Sequence, residues 1–337
     1  MNIQENYNTN KKEFLYSQYK DVNDHRIKVL ANFENEKFDK KNNESLRNTN
    51  IKKFFNFDYR YNLPKDQSST IKNNDGSYSI TSFNGQCENY KDDKIEIYKL
   101  KPVSSNDYFN NRLSNKNDFF IDLNSLFLNS GFKIIIKKNQ NVKINISYLI
   151  SDEKLTIFQR NYFFCEEDCK VDLIEEFENN NNSINNVYNI LQINKNSNFN
   201  HNIIQDNVIN HSLILSTFTT CNNKARYNQR VYNFSDGYVR NFHFSDLKET
   251  NSEVDFRGFF FLKDLNTSNN KTFVNHMAED CKSNQVYKGV LNDKSKATYF
   301  SNTHVDSVAQ KTEGYQLSKG ILISSDASYF SKPELKI

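Results

Sequence analysis

The sequence has no tryptophan, three prolines and eight glycines among its 337 residues, and its mean hydropathy is −0.81. So few prolines and glycines argue against flexible linkers between domains. No apolar run approaches the about 18 residues that a membrane-spanning helix needs. The formal net charge of +3 at pH 7 gives no electrostatic reason to expect nucleic acid or an anionic membrane as a partner. We therefore predict a globular protein that binds neither.

Cysteines are few and odd in number: Cys87, Cys165, Cys169, Cys221 and Cys281. The first residues, MNIQENYNTNKKEF, contain no apolar stretch of the kind that forms a signal peptide. An odd number of thiols in a chain without a leader is typical of reduced cysteines. The sequence therefore predicts a cytoplasmic protein.

The motifs of common catalytic sites are missing as well. The glycines never cluster into a phosphate-binding loop, and neither His-Glu-x-x-His nor Gly-x-Ser-x-Gly occurs. Cys165 and Cys169 bracket a predicted turn, but no second cysteine pair and no nearby histidine complete a zinc or cluster site. His276 and Cys281 are five residues apart without a third group to orient them. We predict no catalytic, cofactor-binding or metal-ligating residue, and no enzymatic activity of the chain alone.

The chain is rich instead in short strand-like runs separated by turn-forming Asn, Asp and Ser. In residues 142–150 every second residue is apolar, and the denser apolar run in 253–262 predicts a strand covered on both sides. Strands in series without helices between them exclude a doubly wound fold and leave sandwich, barrel and solenoid open. The predicted strands are 132–137, 142–150, 156–164, 170–176, 187–193, 212–219, 238–244, 253–262, 285–291, 297–304 and 314–323.

The N-terminal part has a different pattern. Between residues 11 and 57 apolar residues recur at helical spacings, and a second short helix is predicted over 45–54. Residues 62–86 mix Pro64, Gly76 and Gly85 with short strand-like runs, which indicates turns and hairpins. We therefore divide the chain into a helical region (1–60), connecting strands and turns (61–130) and a β-rich core (131–337).

An ordered series of motifs lies near the end of the chain: H-x-x-x-x-C-x-S-x-Q-x-x-K-G, then A-Q-K-T-x-x-x-Q, then K-P-E-L-x-I. Together these motifs resemble the SufB/SufD family of iron–sulfur cluster assembly proteins. The resemblance gives the matching residues a structural or partner-interface role. They are His276, Cys281, Ser283, Gln285, Lys288, Gly289, Ala309, Gln310, Lys311, Thr312, Gln316, Lys332, Pro333 and Glu334.

A second match favours SufD over SufB. Residues 43–51, NESLRNTNI, are similar to the E-x-W-[KR]-Y-T-x-[LI] signature that precedes the core of SufD, although Leu46 replaces its Trp and Asn48 its Tyr. The family continues beyond K-P-E-L-x-I into a D-D-V-x-[CA]-x-H-G-A-T pattern and a helical domain, which the resemblance associates with cluster building and with docking of the SufC ATPase. The 337-residue sequence stops before both.

The resemblance implies a mainly β fold, a right-handed parallel β-helix with an N-terminal helical region. In such a fold, Asn side chains at equivalent turn positions can form ladders. The resemblance also implies a non-catalytic, SufD-like scaffold subunit that pairs with SufB and works with the SufC ATPase. No cofactor is then bound by this chain alone, and the iron–sulfur cluster is built at the SufB–SufD junction. The alternatives are a SufB-type subunit, a β-helical carbohydrate-binding or -cleaving protein, and a truncated non-functional remnant.

Overall fold

A computed structural model describes residues 3–15, 17–35, 60–61, 63–65, 67–100, 118–178, 182–206, 212–234 and 236–337. The helices are α1 (Ile3–Asn10), α2 (Lys20–Asn35) and α3 (Phe119–Phe127), with a 3-10 turn at Lys11–Glu13. None of the described helices has the length and apolar character to cross a membrane. The second predicted helix (45–54) and the SufD-like signature (43–51) lie outside the described residues.

The strands are β1 Ser69–Lys72, β2 Tyr78–Phe83, β3 Tyr90–Lys91, β4 Ile95–Lys99, β5 Ser130–Ile136, β6 Asn141–Leu149, β7 Thr156–Cys165, β8 Lys170–Glu178, β9 Ile184–Ile193, β10 Asn198–Asp206, β11 Ser212–Cys221, β12 Arg226–Asn233, β13 Tyr238–Leu247, β14 Glu253–Leu262, β15 Thr267–His276, β16 Lys282–Leu291, β17 Lys296–Val305, β18 Glu313–Leu322 and β19 Ser328–Lys336.

These strands form two long sheets. One runs β1-β2-β6-β8-β10-β12-β14-β16-β18 and the other β19-β17-β15-β13-β11-β9-β7-β5-β4-β3. From β5 onward the chain alternates between the sheets, and every strand pairs in parallel with the strand two places further along. Each coil therefore stacks on the one before it. This is a parallel β-helix of about 7 turns, which confirms the predicted fold class.

In each coil one turn leads the chain from the ten-stranded sheet to the nine-stranded sheet, and this turn is repeated from coil to coil. Each of these turns holds one residue with φ between +56° and +62°, a conformation that Asn and Asp tolerate better than most residues. In the turns from Asn139 to Asp280 the backbone N–H of that residue donates to a carbonyl of the next coil, as Asp168 does to Lys195 (3.0 Å) and Asn196 to Asn223 (3.0 Å). The positive-φ residues are Asn139, Asp168, Asn196, Lys224, Asn251, Asp280 and Lys311.

Side-chain amides add ladders between equivalent positions of successive coils. Asn196 Nδ2 donates to Asp168 Oδ1 at 3.0 Å, and Asn222 Nδ2 donates to Asn194 Oδ1 at 2.8 Å. The high Asn content of the sequence thus has a structural use at these places.

Sequence reasoning missed four core strands and one helix. Strands β10, β12, β15 and β19 carry many Asn, Gln, Arg or Lys residues and lack a clear apolar alternation. Helix α3 lies in the segment for which we predicted only strands and turns. It begins where the Asp118 carboxylate accepts hydrogen bonds from the backbone N–H groups of Phe120 and Ile121.

Strand β14 was also interpreted wrongly. Its residues alternate in burial, and the outward-facing rings of Phe259 and Phe261 are 38% and 40% exposed. The apolar run therefore reflects aromatic residues on the outer face of the sheet, and not a strand covered on both sides.

Candidate functional site: the last coils of the β-helix

The motif residues that carry the family resemblance lie in strands β15 to β19 and in the turns between them, which together we call the last coils. His276 ends β15 and is fully buried, with its Nε2 2.8 Å from Ser283 Oγ. Burial lowers the pKa of His276 to about 4, so the imidazole is neutral near pH 7. The Cys281 sulfur is buried 3.3 Å from Ser252 Oγ. These contacts give His276 and Cys281 separate structural partners.

Two glutamines of the motif join the two sheets through the interior. Gln285 Nε2 donates to Thr303 Oγ1 at 2.9 Å, and Gln285 Oε1 accepts from Thr272 Oγ1 at 2.5 Å. One coil further on, Gln316 Nε2 donates to the same Thr303 oxygen at 2.7 Å, and Gln316 Oε1 accepts from Ser301 Oγ at 2.9 Å. Buried amides need such partners because an unpaired polar group costs about 1–3 kcal/mol. The glutamines therefore fix how the last two coils stack.

Gly289 leaves room for a neighbouring aromatic ring. It occupies an inward position of β16, where an added Cβ would come within 1.8 Å of the Phe260 ring. The preceding Lys288 faces outward and is exposed. In this motif Lys288 thus places a cation on the surface, and position 289 has room only for glycine.

The A-Q-K-T motif forms the turn between β17 and β18. Ala309 is buried and its N–H donates to Asp306 O at 2.8 Å, and Lys311 takes the positive φ of the turn, +56°. The Gln310 carbonyl accepts from the Asp280 N–H at 3.0 Å. Thr312 comes just before β18. This motif continues the backbone ladder of the turns into the last coil.

The K-P-E motif lies on β19, the edge strand of the ten-stranded sheet. Pro333 stands opposite Ser301, a placement that suits a residue without an N–H only on an edge strand. Glu334 forms an ion pair with Lys332 (3.1 Å) and accepts from Asn302 Nδ2 at 3.0 Å. The sequence-predicted residues thus come together in the same few coils, mostly in packing and hydrogen-bonding positions.

The last coil leaves the β-helix open. Strands β18 and β19 end their sheets, and within the described ranges no strand pairs with their outer edges. By register with Leu291 and Thr303, Leu322 and Leu335 occupy inward positions, yet they are 49% and 62% exposed. An edge with free backbone groups and exposed core leucines is suited to pairing with another strand.

A buried polar network in the middle coils was not predicted from the sequence. The Glu175 carboxylate is fully buried and accepts hydrogen bonds from Tyr148 OH (2.5 Å) and Asn189 Nδ2 (2.8 Å). The third partner is His201, whose Nε2 lies 2.6 Å from the carboxylate and whose Nδ1 lies 2.8 Å from Tyr227 OH. The sequence did contain a signal for this network. Glu175 alternates with Leu173 and Phe177, so all three side chains lie on the inward-facing side of their strand.

The five cysteines are all buried and free of disulfides. Among the residues that the structure describes, no group of three or more His, Cys, Asp or Glu side chains is placed to hold a metal ion.

Comparison with known proteins agrees with the motifs. The profile of the family described as SUF system FeS cluster assembly, SufBD core domain, matches residues 148–337. A search of curated proteins gave no significant match. The matched segment covers more than half of the chain and includes every coil from β7 to β19. The chain therefore belongs to the SufBD core domain family, which takes part in iron–sulfur cluster assembly by the SUF system.

Proposed function

We propose that this chain is a non-catalytic scaffold subunit of SufD type, which pairs with a SufB-type subunit and works with a SufC-type ATPase in the cytoplasm. The observation that carries the proposal is the match of residues 148–337 to the SufBD core domain. Leu322 and Leu335 stand in line with the buried core of the preceding coils but are exposed. A partner that adds strands to β18 and β19 would cover both leucines and satisfy the free edges.

The choice of a SufD-type over a SufB-type subunit is based on the sequence. The signature at residues 43–51 favours SufD over SufB. A scaffold role is supported by the contacts of the motif residues, since Gln285 and Gln316 are engaged with neighbouring strands. In this proposal the iron–sulfur cluster is cargo that is built at the junction with SufB, and ATP hydrolysis is supplied by the SufC-type subunit.

The test is a co-purification with a tagged SufB-type subunit. Lysine in place of Leu322 and Leu335 would put two charges into the proposed junction, so the double variant L322K/L335K should lose capture on the order of tenfold or more. The matched control is Leu265→Lys, which adds a charge at an exposed leucine in a turn away from this edge. Equal capture of the wild type and the double variant would place the junction elsewhere, and capture by a SufD-type subunit alone would make this chain SufB-like.

A further inference from the structure

We propose that the outer face of the nine-stranded sheet, over β12, β14, β16 and β18, docks an acidic amphipathic helix of a partner protein. Four apolar side chains on this face are between 38% and 64% exposed: Tyr232, Phe259, Phe261 and Ile321. Phe261 and Ile321 lie in one row across the strands, with Val290 between them. Single exposed apolar residues are common on protein surfaces, whereas a contiguous group marks an interaction site.

A second row across the same strands changes from aromatic to cationic along its length. Tyr232 of β12 stands opposite Phe259 of β14. The row continues over Lys288 of β16 to Lys319 of β18, and both lysines are exposed. Neighbouring strands are about 4.8 Å apart, so the four positions span about 14 Å. The face therefore has an aromatic half over the earlier coils and a basic half toward the last coil.

The acids on the outward positions of these four strands are already paired with other cations. The ion pairs are Arg226–Glu253 (3.2 Å), Arg230–Asp255 (2.7 Å), Arg257–Asp255 (3.1 Å) and Lys282–Glu313 (3.0 Å). In the adjoining turns, Asp293 accepts from the Asp264 N–H at 3.0 Å.

Lys288 and Lys319 are different, since neither forms an ion pair with a residue in the described part of the chain. They stand side by side on neighbouring strands, where like charges repel each other. Carboxylates of a partner would remove this repulsion. The charge and the apolar rows together therefore select a segment that carries acids next to apolar side chains.

A helix lying across the strands has the right spacing for the row that ends in the two lysines. Side chains one turn apart on a helix advance by about 5.4 Å, close to the distance between strands, and the two spacings differ by only about 2 Å over four positions. Leucines at i and i+4 would cover Tyr232 and Phe259. Glutamates at i+7 and i+11 would then reach Lys288 and Lys319, so the acidic end of the helix points toward the last coil.

The experiment uses the purified 337-residue chain and a fluorescein-labelled helical peptide of alanine and glutamine that carries this pattern of leucines and glutamates. Fluorescence anisotropy at low ionic strength measures the dissociation constant. The double variant K288E/K319E should bind at least tenfold more weakly. A peptide with lysines in place of the glutamates should bind this variant at least tenfold more tightly than it binds the wild type.

The matched control is K195E/K248E, which reverses two exposed lysines in the turns before β10 and β14, at the opposite end of the strands. It should bind the leucine–glutamate peptide within about twofold of the wild type, because its total charge changes as much but the docking face does not. Phe259→Ser tests the aromatic half and should weaken binding about tenfold.

Three results would overturn the proposal. The first is no binding of the peptide to the wild type up to about 1 mM, and the second is equal binding by K288E/K319E. The third is loss of binding in L322K/L335K, which would place the peptide at the strand edges used in the proposed junction with SufB. Phosphatidylserine vesicles provide a further arm. If they bind the wild type but not K288E/K319E while the peptide binds neither, the face recognises a membrane surface and not a helix.

Discussion

His201 Nε2 lies 2.6 Å from Glu175 Oε2, and both side chains are completely buried inside the β-helix. The two residues come from neighbouring strands of the nine-stranded sheet, β10 and β8. A carboxylate at such a place must be hydrogen-bonded, because a buried charge without partners is strongly destabilising. The pair therefore holds the middle coils in register.

Glu175→Ala should lower the free energy of unfolding by about 3–5 kcal/mol, because it leaves the buried partners His201, Tyr148 and Asn189 without their acceptor. Urea unfolding followed by circular dichroism measures the change. The matched control is Glu178→Ala at the exposed end of the same strand, which should stay within about 0.5 kcal/mol of the wild type. Equal effects of the two substitutions would contradict a structural role for the network.

Gly289→Ala should destabilise the protein by about 1–3 kcal/mol, because the added methyl group would overlap the Phe260 ring. Gly314→Ala is the control, since its Cβ would meet its nearest neighbours at 3.6 Å, an ordinary contact. Thermal unfolding of the two variants side by side checks the difference. The double variant Gly289→Ala, Phe260→Leu should recover part of the loss, and a lack of recovery would point to the backbone and not to the ring.

Stability should also depend on pH through two buried histidines. Burial lowers the pKa of His276 to about 4 and that of His243 to about 3, from an ordinary 6.5. Between about pH 6.5 and 4 the unfolded chain binds more protons than the folded one, so the free energy of unfolding falls as the pH is lowered through this window.

His276→Asn should reduce that slope by about 1.4 kcal/mol per pH unit between pH 6 and pH 5. Denaturant titrations at a series of pH values measure the slope. A slope that is the same in both proteins would show that His276 takes up its proton as readily in the folded chain as in the unfolded one.

Serine in place of Cys87, Cys165, Cys169 or Cys221, one at a time, should leave the metal content of the purified chain unchanged. The cost in stability should be about 1 kcal/mol for each buried thiol. Elemental analysis of wild type and variants in parallel checks the first part. Stoichiometric iron or zinc that disappears with Cys165→Ser or Cys169→Ser would refute it.

The 337-residue chain expressed alone should self-associate through residues 314–337, because no described strand pairs with the outer edges of β18 and β19, and Leu322 and Leu335 are exposed. Light scattering on a size-exclusion column gives the mass. L322K/L335K should shift the chain toward monomer, and co-expression with a SufB-type partner should raise the yield of soluble protein. A monodisperse wild-type monomer would contradict the prediction and show that the last coil does not attract a second copy.

The sequence allowed strands to be predicted where the interior is apolar, whereas the β-helix was predicted from the family resemblance. Val142, Ile144, Ile146 and Tyr148 alternate with polar residues, and all four are buried on the inner side of β6. The missed strands have polar interiors. In β10 and β12 the inward positions include His201, Gln205 and Gln229, which form hydrogen bonds with other strands or within their own and carry no apolar signal.

The candidate site, too, could be predicted from the sequence only in part. The motif letters located the last coils, but the contact of Gln285 with Thr303 depends on which residues face each other across the interior. The stacking of the coils determines which residues face each other. The number of residues between Gln285 and Thr303 in the sequence does not.

The column of positive-φ turn residues has a consequence for how such a chain can change length. The Asp168 N–H donates to Lys195 O and the Asn196 N–H donates to Asn223 O, so each of these turns is joined to the turn of the next coil. A residue inserted at one of these corners would shift the hydrogen bonds of the neighbouring turns as well, and insertions should therefore be poorly tolerated along this side of the coils.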